Sequence, residues 1–287
     1  MDSNKNEIIY RQMEVKDLKD GLNCFTAHNL QESLSTLEAY YECDPKAFYV
    51  AINNSDNRII GVCGAPVTTH NSGFLGLYGV EKGFQNRGIG QKLFKLCLKH
   101  INTRNCGLHA VPEKLSMYEE KAGFGVREGV SMVVCNDLPQ NLEDLLKTIN
   151  ENTRVDELNK ENKDLLTKII EYDLKVHNER REKLLSLSLS KHDYNTFVAI
   201  DDKSGQLTGY GCIRLHNGGK GMIGPVYADN DTIAEVLIYN LIKSCIAAQT
   251  KGLLFMTISS SSGGIRIAQK LQITERDRCE RNLPNTY

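Results

Sequence analysis

Along the first half of the chain, short runs of β-branched and aromatic residues alternate with segments whose apolar residues recur every three or four positions. The stretch 7–13 (EIIYRQM) reads as a strand, and 15–42 as two helices broken near 27–29. The runs 47–52 (AFYVAI) and 58–67 (RIIGVCGAPV) flank the turn-rich spacer NNSDN, which predicts an antiparallel hairpin. A fourth strand follows at 73–80 (GFLGLYGV). Beyond it, Ile89, Leu93, Cys97 and Ile101, with Phe94 and Leu98 beside them, form one apolar face at helical spacing. A fifth strand at 105–111, a short helix opening with Pro112 and a closing strand at 129–135 complete the series. Strands and helices so interleaved define an α/β (α+β) domain, with a mixed, mainly antiparallel sheet flanked by helices.

From about residue 137 the pattern becomes strongly charged with helical periodicity, and no heptad persists, so this stretch reads as a solvated connector leading into further helices. The earlier order then recurs. Two strands around a turn (196–215) are followed by a strand (221–228), an amphipathic helix (232–248), a strand (252–258) and a helix (264–271). A repeated series of this length predicts two copies of one fold. The expected organisation is a first domain over 1–138, a linker over 139–151 and a second domain over 152–287.

Composition narrows the function classes. A length of 287 residues with 40% apolar content supports two cores, and a net charge of −1 leaves no basic field for nucleic acid or an anionic membrane. The polar beginning lacks the apolar core of a secretion signal, and no window reaches the apolar length of a membrane span, so the expectation is a cytoplasmic protein. Nine scattered cysteines without a CxxC pair read as reduced core thiols, with neither a disulfide framework nor a metal site.

The stretch QNRGIG at 85–90 stands between the fourth strand and the helix face that begins at Ile89. Two glycines and polar side chains there fit a tight turn, and they fit an anion site equally. A helix start offers unpaired N–H groups and partial positive charge, glycine lets a ligand approach the backbone, and Arg87 adds a formal charge. Ile89 and Gly90 occupy the positions where a P-loop needs its Lys and Ser/Thr, and a dinucleotide fingerprint needs a first strand before it rather than a fourth.

Val80 at the end of the fourth strand, then Gln85, Gly88 and Gly90 heading a long helix, resemble the GNAT superfamily of N-acetyltransferases, with Lys82 where that family usually has proline. Tyr118 followed by Gly123 and Phe124 matches a second family element, with one extra residue between the Tyr and the Gly. The stretches GYGCIRL, GMIGPVYADN and RDRCERN resemble the C-terminal acetyltransferase-like domain of tandem members of that superfamily.

The resemblance implies an N-acetyltransferase that passes acetyl from acetyl-CoA to a primary amine by direct attack in a ternary complex. The acceptor would be a small molecule or a peptide, and a non-catalytic acyl-CoA sensor or interaction module is the rival. It implies that main-chain amides of Gln85, Asn86, Arg87, Gly88, Ile89 and Gly90 hold the pyrophosphate, and that Tyr78, Gly79 and Val80 pair with the pantetheine arm. A backbone N–H near Val80 would receive the oxyanion. Tyr118 corresponds to the residue that protonates the leaving thiolate, a transfer that ordinary phenol and thiol pKa values permit. Phe74 stands where the histone-modifying branch carries its basic glutamate, so His109 and, behind it, Glu81 are the remaining candidates for a base. Glu32, Glu38, Glu42 and Asp44 on the first helices favour a cationic acceptor. In the second copy, Asp229 and Asp231 replace the glycines and are expected to repel phosphate and to cap the helix themselves, so this copy is expected to bind no cofactor.

Overall fold

The computed structural model describes residues 8–27, 32–137, 139, 141–146, 152–216 and 218–284. They form two compact units that do not follow chain order. The first holds the chain up to Leu108 together with 123–126 and the residues from Asn282 onward, and the second holds 109–122 and 127–281.

In the first unit, β1 (Ile8–Gln12), β2 (Phe48–Asn53), β3 (Arg58–Gly64) and β4 (Ser72–Val80) pair antiparallel in that order, and β4 then pairs parallel with β5 (Asn105–Ala110). Residues on β3 alternate between two helical layers. Val62 joins Met13, Leu22, Leu37 and Phe48 under α1 (Leu18–Thr26) and α2 (Leu34–Cys43). Gly61 faces the other way, onto α3 (Ile89–Ile101), so closely that a Cβ there would meet Leu93 at 3.0 Å and Ile89 at 3.3 Å. The helix face anticipated at Ile89, Leu93, Cys97 and Ile101 is buried on that side. The predicted hairpin between β2 and β3 is present. Ser33 caps α2 by accepting the Thr36 N–H at 3.1 Å.

The second unit carries α4 (Leu115–Lys121), most of β6 (Val126–Asp137), β7 (Thr153–Glu157), α5 (Lys163–His177), α6 (Glu182–Leu189), β8 (Tyr194–Asp201), β9 (Leu207–Leu215), β10 (Gly221–Ala228), α7 (Asp231–Ala247), β11 (Leu253–Ile258), α8 (Ser262–Lys270) and most of β12 (Glu275–Leu283). Its strands run in the order β12-β6-β11-β10-β9-β8-β7. One core lies between α7, α8 and β6, β10, β11, around Val133, Ile223, Leu241, Ile242 and Phe255. Another lies between α5, α6 and β8, β9, around Ile169, Leu185, Val198 and Tyr210.

Three sequence readings change here. The strand expected to close the first sheet, β6, pairs antiparallel with β11 in the second unit, Met132 opposite Ile258 through Asp137 opposite Leu253. The charged, helix-patterned stretch after residue 137 contains, at the start of the expected second domain, a strand, β7, whose five residues TRVDE lack the apolar alternation that would reveal it. The last strand, β12, is hidden by the charges of ERDRCERNL. Residues 140 and 147–151 of the expected linker, and 138 before it, lie outside the described residues. All nine cysteines are free and seven are buried, as their placement inside apolar runs predicts.

Candidate functional site

The site begins with a fault in β4. The parallel ladder to β5 runs from Ser72 opposite Asn105 to Leu75 opposite Leu108 and ends there. Immediately afterwards the register with β3 slips between Gly64 opposite Gly76 and Val62 opposite Gly79, and Leu77 takes a left-handed φ of 45°. A non-glycine residue held there marks a bulge that redirects the strand. The segment expected to receive the pantetheine arm, Tyr78 to Val80, is the part of β4 beyond that bulge. Neither the bulge nor Leu77 has a signature in sequence, because leucine is an ordinary strand residue.

Beyond Val80 a single 3-10 turn (Lys82–Phe84) leads into QNRGIG. The Gln85 side-chain amide donates to the Val80 carbonyl at 2.9 Å, so this residue braces the turn against the strand. Arg87 donates to the Gly83 carbonyl at 3.0 Å, and its guanidinium lies 5.2 Å from the Phe84 ring centroid. Asn86 (φ 62°) and Gly88 (φ 78°) are both left-handed. Gly88 is the N-cap of α3 and supplies no side chain to the first-turn amides, whereas α2, α5, α7 and α8 are each capped by a Ser or Asn side chain. A Cβ on Gly88 would meet nothing within 4 Å. An uncapped helix start behind open space is the geometry that favours an anion.

The two glycines have different tasks. A Cβ on Gly90 would collide with the Tyr78 hydroxyl and lie 3.1 Å from the ring carbon that bears it. Gly90 therefore lets Tyr78 lie against the first turn of α3, with the Tyr78 and Phe94 rings edge-on, 5.9 Å between centroids. Burial pushes the Tyr78 phenol up to about 12, so it stays protonated. Phe94 meets Phe124 edge-on at 5.7 Å, and Gly123 turns the chain into Phe124 with a φ of 77°.

Sequence reasoning missed Cys24. Its thiol, on α1, donates to the Gly79 carbonyl at 3.9 Å, at the back of the strand end just described. Burial, then Glu81, pushes this thiol up to about 11, so it is not a thiolate nucleophile near neutral pH. Glu81 faces Arg58 at 3.4 Å on the surface.

His109 and Tyr118 fall in the second unit. Burial, and secondly the guanidinium of Arg281, pull the His109 pKa below its ordinary value, with Glu128 acting in the other sense. Arg281 and Glu128 form an ion pair. Tyr118 is buried on α4. Phe74 stays in the ladder with its ring 3.4 Å from the position of a Cβ on Gly107.

Among the acidic residues proposed for a cationic acceptor, Asp44 is engaged by the Val67 N–H at 3.0 Å and by His100 at 2.7 Å. Glu38 and Glu42 border a cavity of about 450 Å³ whose other walls are Val15, Leu18, Tyr41 and Pro45. Glu32 accepts the Ser33 N–H at 2.9 Å.

The second unit repeats the fault without the cradle. The parallel ladder between β10 and β11 ends at Ile223 opposite Phe255, and β10 slips against β9 between Ile223 and Val226. The start of α7 is closed by Asn230, which accepts the Ile233 N–H at 3.0 Å, rather than by the two aspartates expected to cap it. Asp229 accepts the Tyr172 hydroxyl at 2.8 Å, and Asp231 is paired with Arg266.

A fourth strand bulged where its parallel ladder ends, a glycine turn and a long helix, followed by a second copy of the series, define a tandem acyltransferase-type fold. The sequence matches the family described as "Acetyltransferase (GNAT) family" over residues 16–124 and "Acetyltransferase (GNAT) domain" over residues 169–286, and the chain belongs to this superfamily. It is 25% identical over 209 residues to the holothin acyltransferase of Pseudoalteromonas sp. (strain SANK 73390), a match covering 71% of this chain and 64% of that protein, under two thirds of the relative's length. Its fold is similar to that of a candidate acetyltransferase from Pyrococcus horikoshii (TM-score 0.74, 18% identity, 98% of this chain and 90% of that one). It is also similar to a tandem GNAT protein from the clavulanic acid biosynthesis pathway (TM-score 0.69, 13% identity, 96% and 98%). No helix among the described residues is long and apolar enough to cross a membrane, and no group of three His, Cys, Asp or Glu residues among them could hold a metal ion.

Proposed function

We propose that this protein is an N-acyltransferase that takes acetyl from acetyl-CoA and passes it to a primary amine by direct attack in a ternary complex. The observation that carries this reading is the start of α3, left without a side-chain cap behind the left-handed Asn86 and Gly88 and facing open space. Main-chain amides from Gln85 to Gly90 hold the pyrophosphate there, and Tyr78, Gly79 and Val80 pair with the pantetheine arm. Acetyl-CoA supplies the activated thioester, and the chain orients it. The amine adds to the thioester carbonyl, a backbone N–H near Val80 receives the oxyanion, and the thiolate leaves with a proton from Tyr118. His109, neutral near pH 7 because it is buried beside Arg281, takes the proton from the amine.

Direct attack is favoured over an acyl-cysteine intermediate because burial raises the thiols of Cys24, Cys63 and Cys106. Acceptors with a cationic group beside an apolar body suit the cavity between Glu38, Glu42 and Val15. The setting in which the enzyme works is the cytoplasm. The test is calorimetry with CoA, then thiol release from acetyl-CoA across a panel of small amines, polyamines, amino sugars and peptides. Binding at one site per chain with release for one amine class is expected, because Asn230, Asp229 and Asp231 close the equivalent position in the second unit. A second reading, an acyl-CoA sensor without turnover, is favoured by Phe74 in place of a basic carboxylate. Binding without thiol release for any amine would establish that reading instead.

A further inference from the structure

Asn282 is fully buried (0% exposed) near the end of the chain, and its side-chain amide donates to the Phe124 carbonyl at 3.0 Å, across 158 positions of sequence. Its neighbour Leu283 lies over β5, 3.7 Å from where a Cβ on Gly107 would stand. Both residues belong to the first compact unit, as does the turn at 123–126.

From Asn282 a continuous packed path leads to the glycine turn. The amide fixes the carbonyl of Phe124, whose position already depends on the left-handed Gly123. Phe124 is 1% exposed and its ring meets Phe94 edge-on. Phe94, on α3, meets Tyr78 edge-on, and Tyr78 lies against Gly90 in the first turn of the same helix. Aromatic pairs of this kind hold ring orientation as well as area. Every link fixes where the strand end beyond the β4 bulge stands relative to the start of α3. The Asn282 Oδ1 atom makes no hydrogen bond, so the amide donation to Phe124 is the polar anchor at this end of the path.

We infer that Asn282 is a positioning residue for the acyl-CoA site, holding Tyr78 and the glycine turn in register through Phe124 and Phe94. This rests on the reading of that turn as the CoA cradle. It makes the C-terminal segment of the chain part of the donor-binding unit. Removing the amide frees the Phe124 carbonyl in a dry environment and loosens the rings above it, so binding of CoA weakens while the chemistry at the thioester does not change.

Two variants of the full chain test this: Asn282→Leu, which keeps the volume and removes the donor, and Phe124→Leu, which keeps an apolar side chain and removes the ring. Calorimetry with CoA and steady-state kinetics with acetyl-CoA are the readouts. Asn282→Leu is expected to raise the Kd for CoA and the KM for acetyl-CoA together by about five- to tenfold, the scale of one buried hydrogen bond, with kcat little changed. Phe124→Leu is expected to do the same, and it decides the matter if Asn282→Leu does not fold. A wild-type chain that binds CoA while the folded variants bind it equally well, with only a lower melting temperature, overturns this inference alone. A wild-type chain that binds no CoA overturns the parent reading and this one with it.

Discussion

The hydroxyl of Tyr78 stands where a side chain on Gly90 would begin, so strand β4 and helix α3 meet at a point that admits no Cβ. Gly90→Ala forces the ring or the helix start to move. Overpacking of this kind costs about 1–3 kcal/mol. The expected result is a lower melting temperature and weaker CoA binding, both partly restored by adding Tyr78→Phe, which removes the colliding oxygen. Additive effects in the double variant would show that the two residues do not meet in solution.

Gly88 fails differently. Any side chain there would project into open space, and its penalty is the left-handed backbone, roughly 1–2 kcal/mol. Gly88→Ala is therefore expected to cost some stability and to leave CoA binding measurable. Gly88→Glu is expected to abolish binding, because a carboxylate then stands at the start of α3. Equal binding by the two variants, followed by calorimetry, would argue against an anion at this turn.

The contrast between these glycines shows what could be read in the chain. The strand, turn and helix around QNRGIG, the antiparallel hairpin and the repeat were legible because each rests on local periodicity or turn chemistry. The division of labour between Gly88 and Gly90 was not, since it depends on Tyr78, just after the bulge at Leu77, meeting a glycine that comes later in the chain. The partnership of β6 with β11 was likewise invisible: Val133 and Cys135 would bury equally well against either neighbour, and nothing in a strand's own alternation names its partner. Charges hid β7 and β12 for the opposite reason, because strands with exposed faces such as 275–278 do not announce themselves by hydrophobicity.

Tyr118→Phe keeps the buried ring and removes the hydroxyl proposed as the acid. A proton transfer in the rate-limiting step is worth about 10²–10⁴ in rate. We expect kcat to fall by about that factor with the KM for acetyl-CoA little changed. For His109, the sign follows from burial and Arg281 lowering its pKa. The acid limb of kcat/KM should lie below pH 6.5, the ordinary histidine value, and should vanish in His109→Gln. An acid limb unchanged in that variant removes His109 from the reaction.

Asp17 is a buried carboxylate held by Arg11 at 2.5 and 3.0 Å and by the Glu14 N–H at 2.8 Å. Burial alone would raise its pKa, yet the Arg11 hydrogen bonds and that N–H outweigh it and the value is lowered. A carboxylate so depressed stabilises the fold above its unfolded pKa and loses that contribution as pH falls through the folded value. Asp17→Asn is expected to destabilise the chain by about 1–3 kcal/mol at pH 7 and to do less harm below pH 4. Urea unfolding at the two pH values measures both.

In the second unit, Asp173 is 1% exposed and receives two 2.8 Å hydrogen bonds from Arg181 and one from the Tyr210 hydroxyl, while His177 stands 3.7 Å away and bonds the Tyr227 hydroxyl at 3.0 Å. Burial and the Arg181 guanidinium lower the His177 pKa against the opposing pull of Asp173, so the imidazole is harder to protonate in the fold than its ordinary value implies. On unfolding it regains its ordinary value near 6.5 and binds a proton more readily than the folded chain does. Stability therefore falls as pH drops below about 6.5, with a slope of at most about 1.4 kcal/mol per pH unit from this group. Asp173 itself stays ionised through that window, because Arg181 and Tyr210 overcome the effect of burial and hold it below the usual carboxylate range. Replacing it by Asn leaves Arg181 buried without its counter-charge, a loss of about 3–5 kcal/mol. His177→Gln should keep the bond to Tyr227 and flatten the stability profile between pH 5 and 6.5, the share of that slope owed to His109 remaining. Chemical denaturation of the three proteins across this range decides it: a profile as steep in His177→Gln as in the wild type would mean that the fold does not lower the pKa of this imidazole.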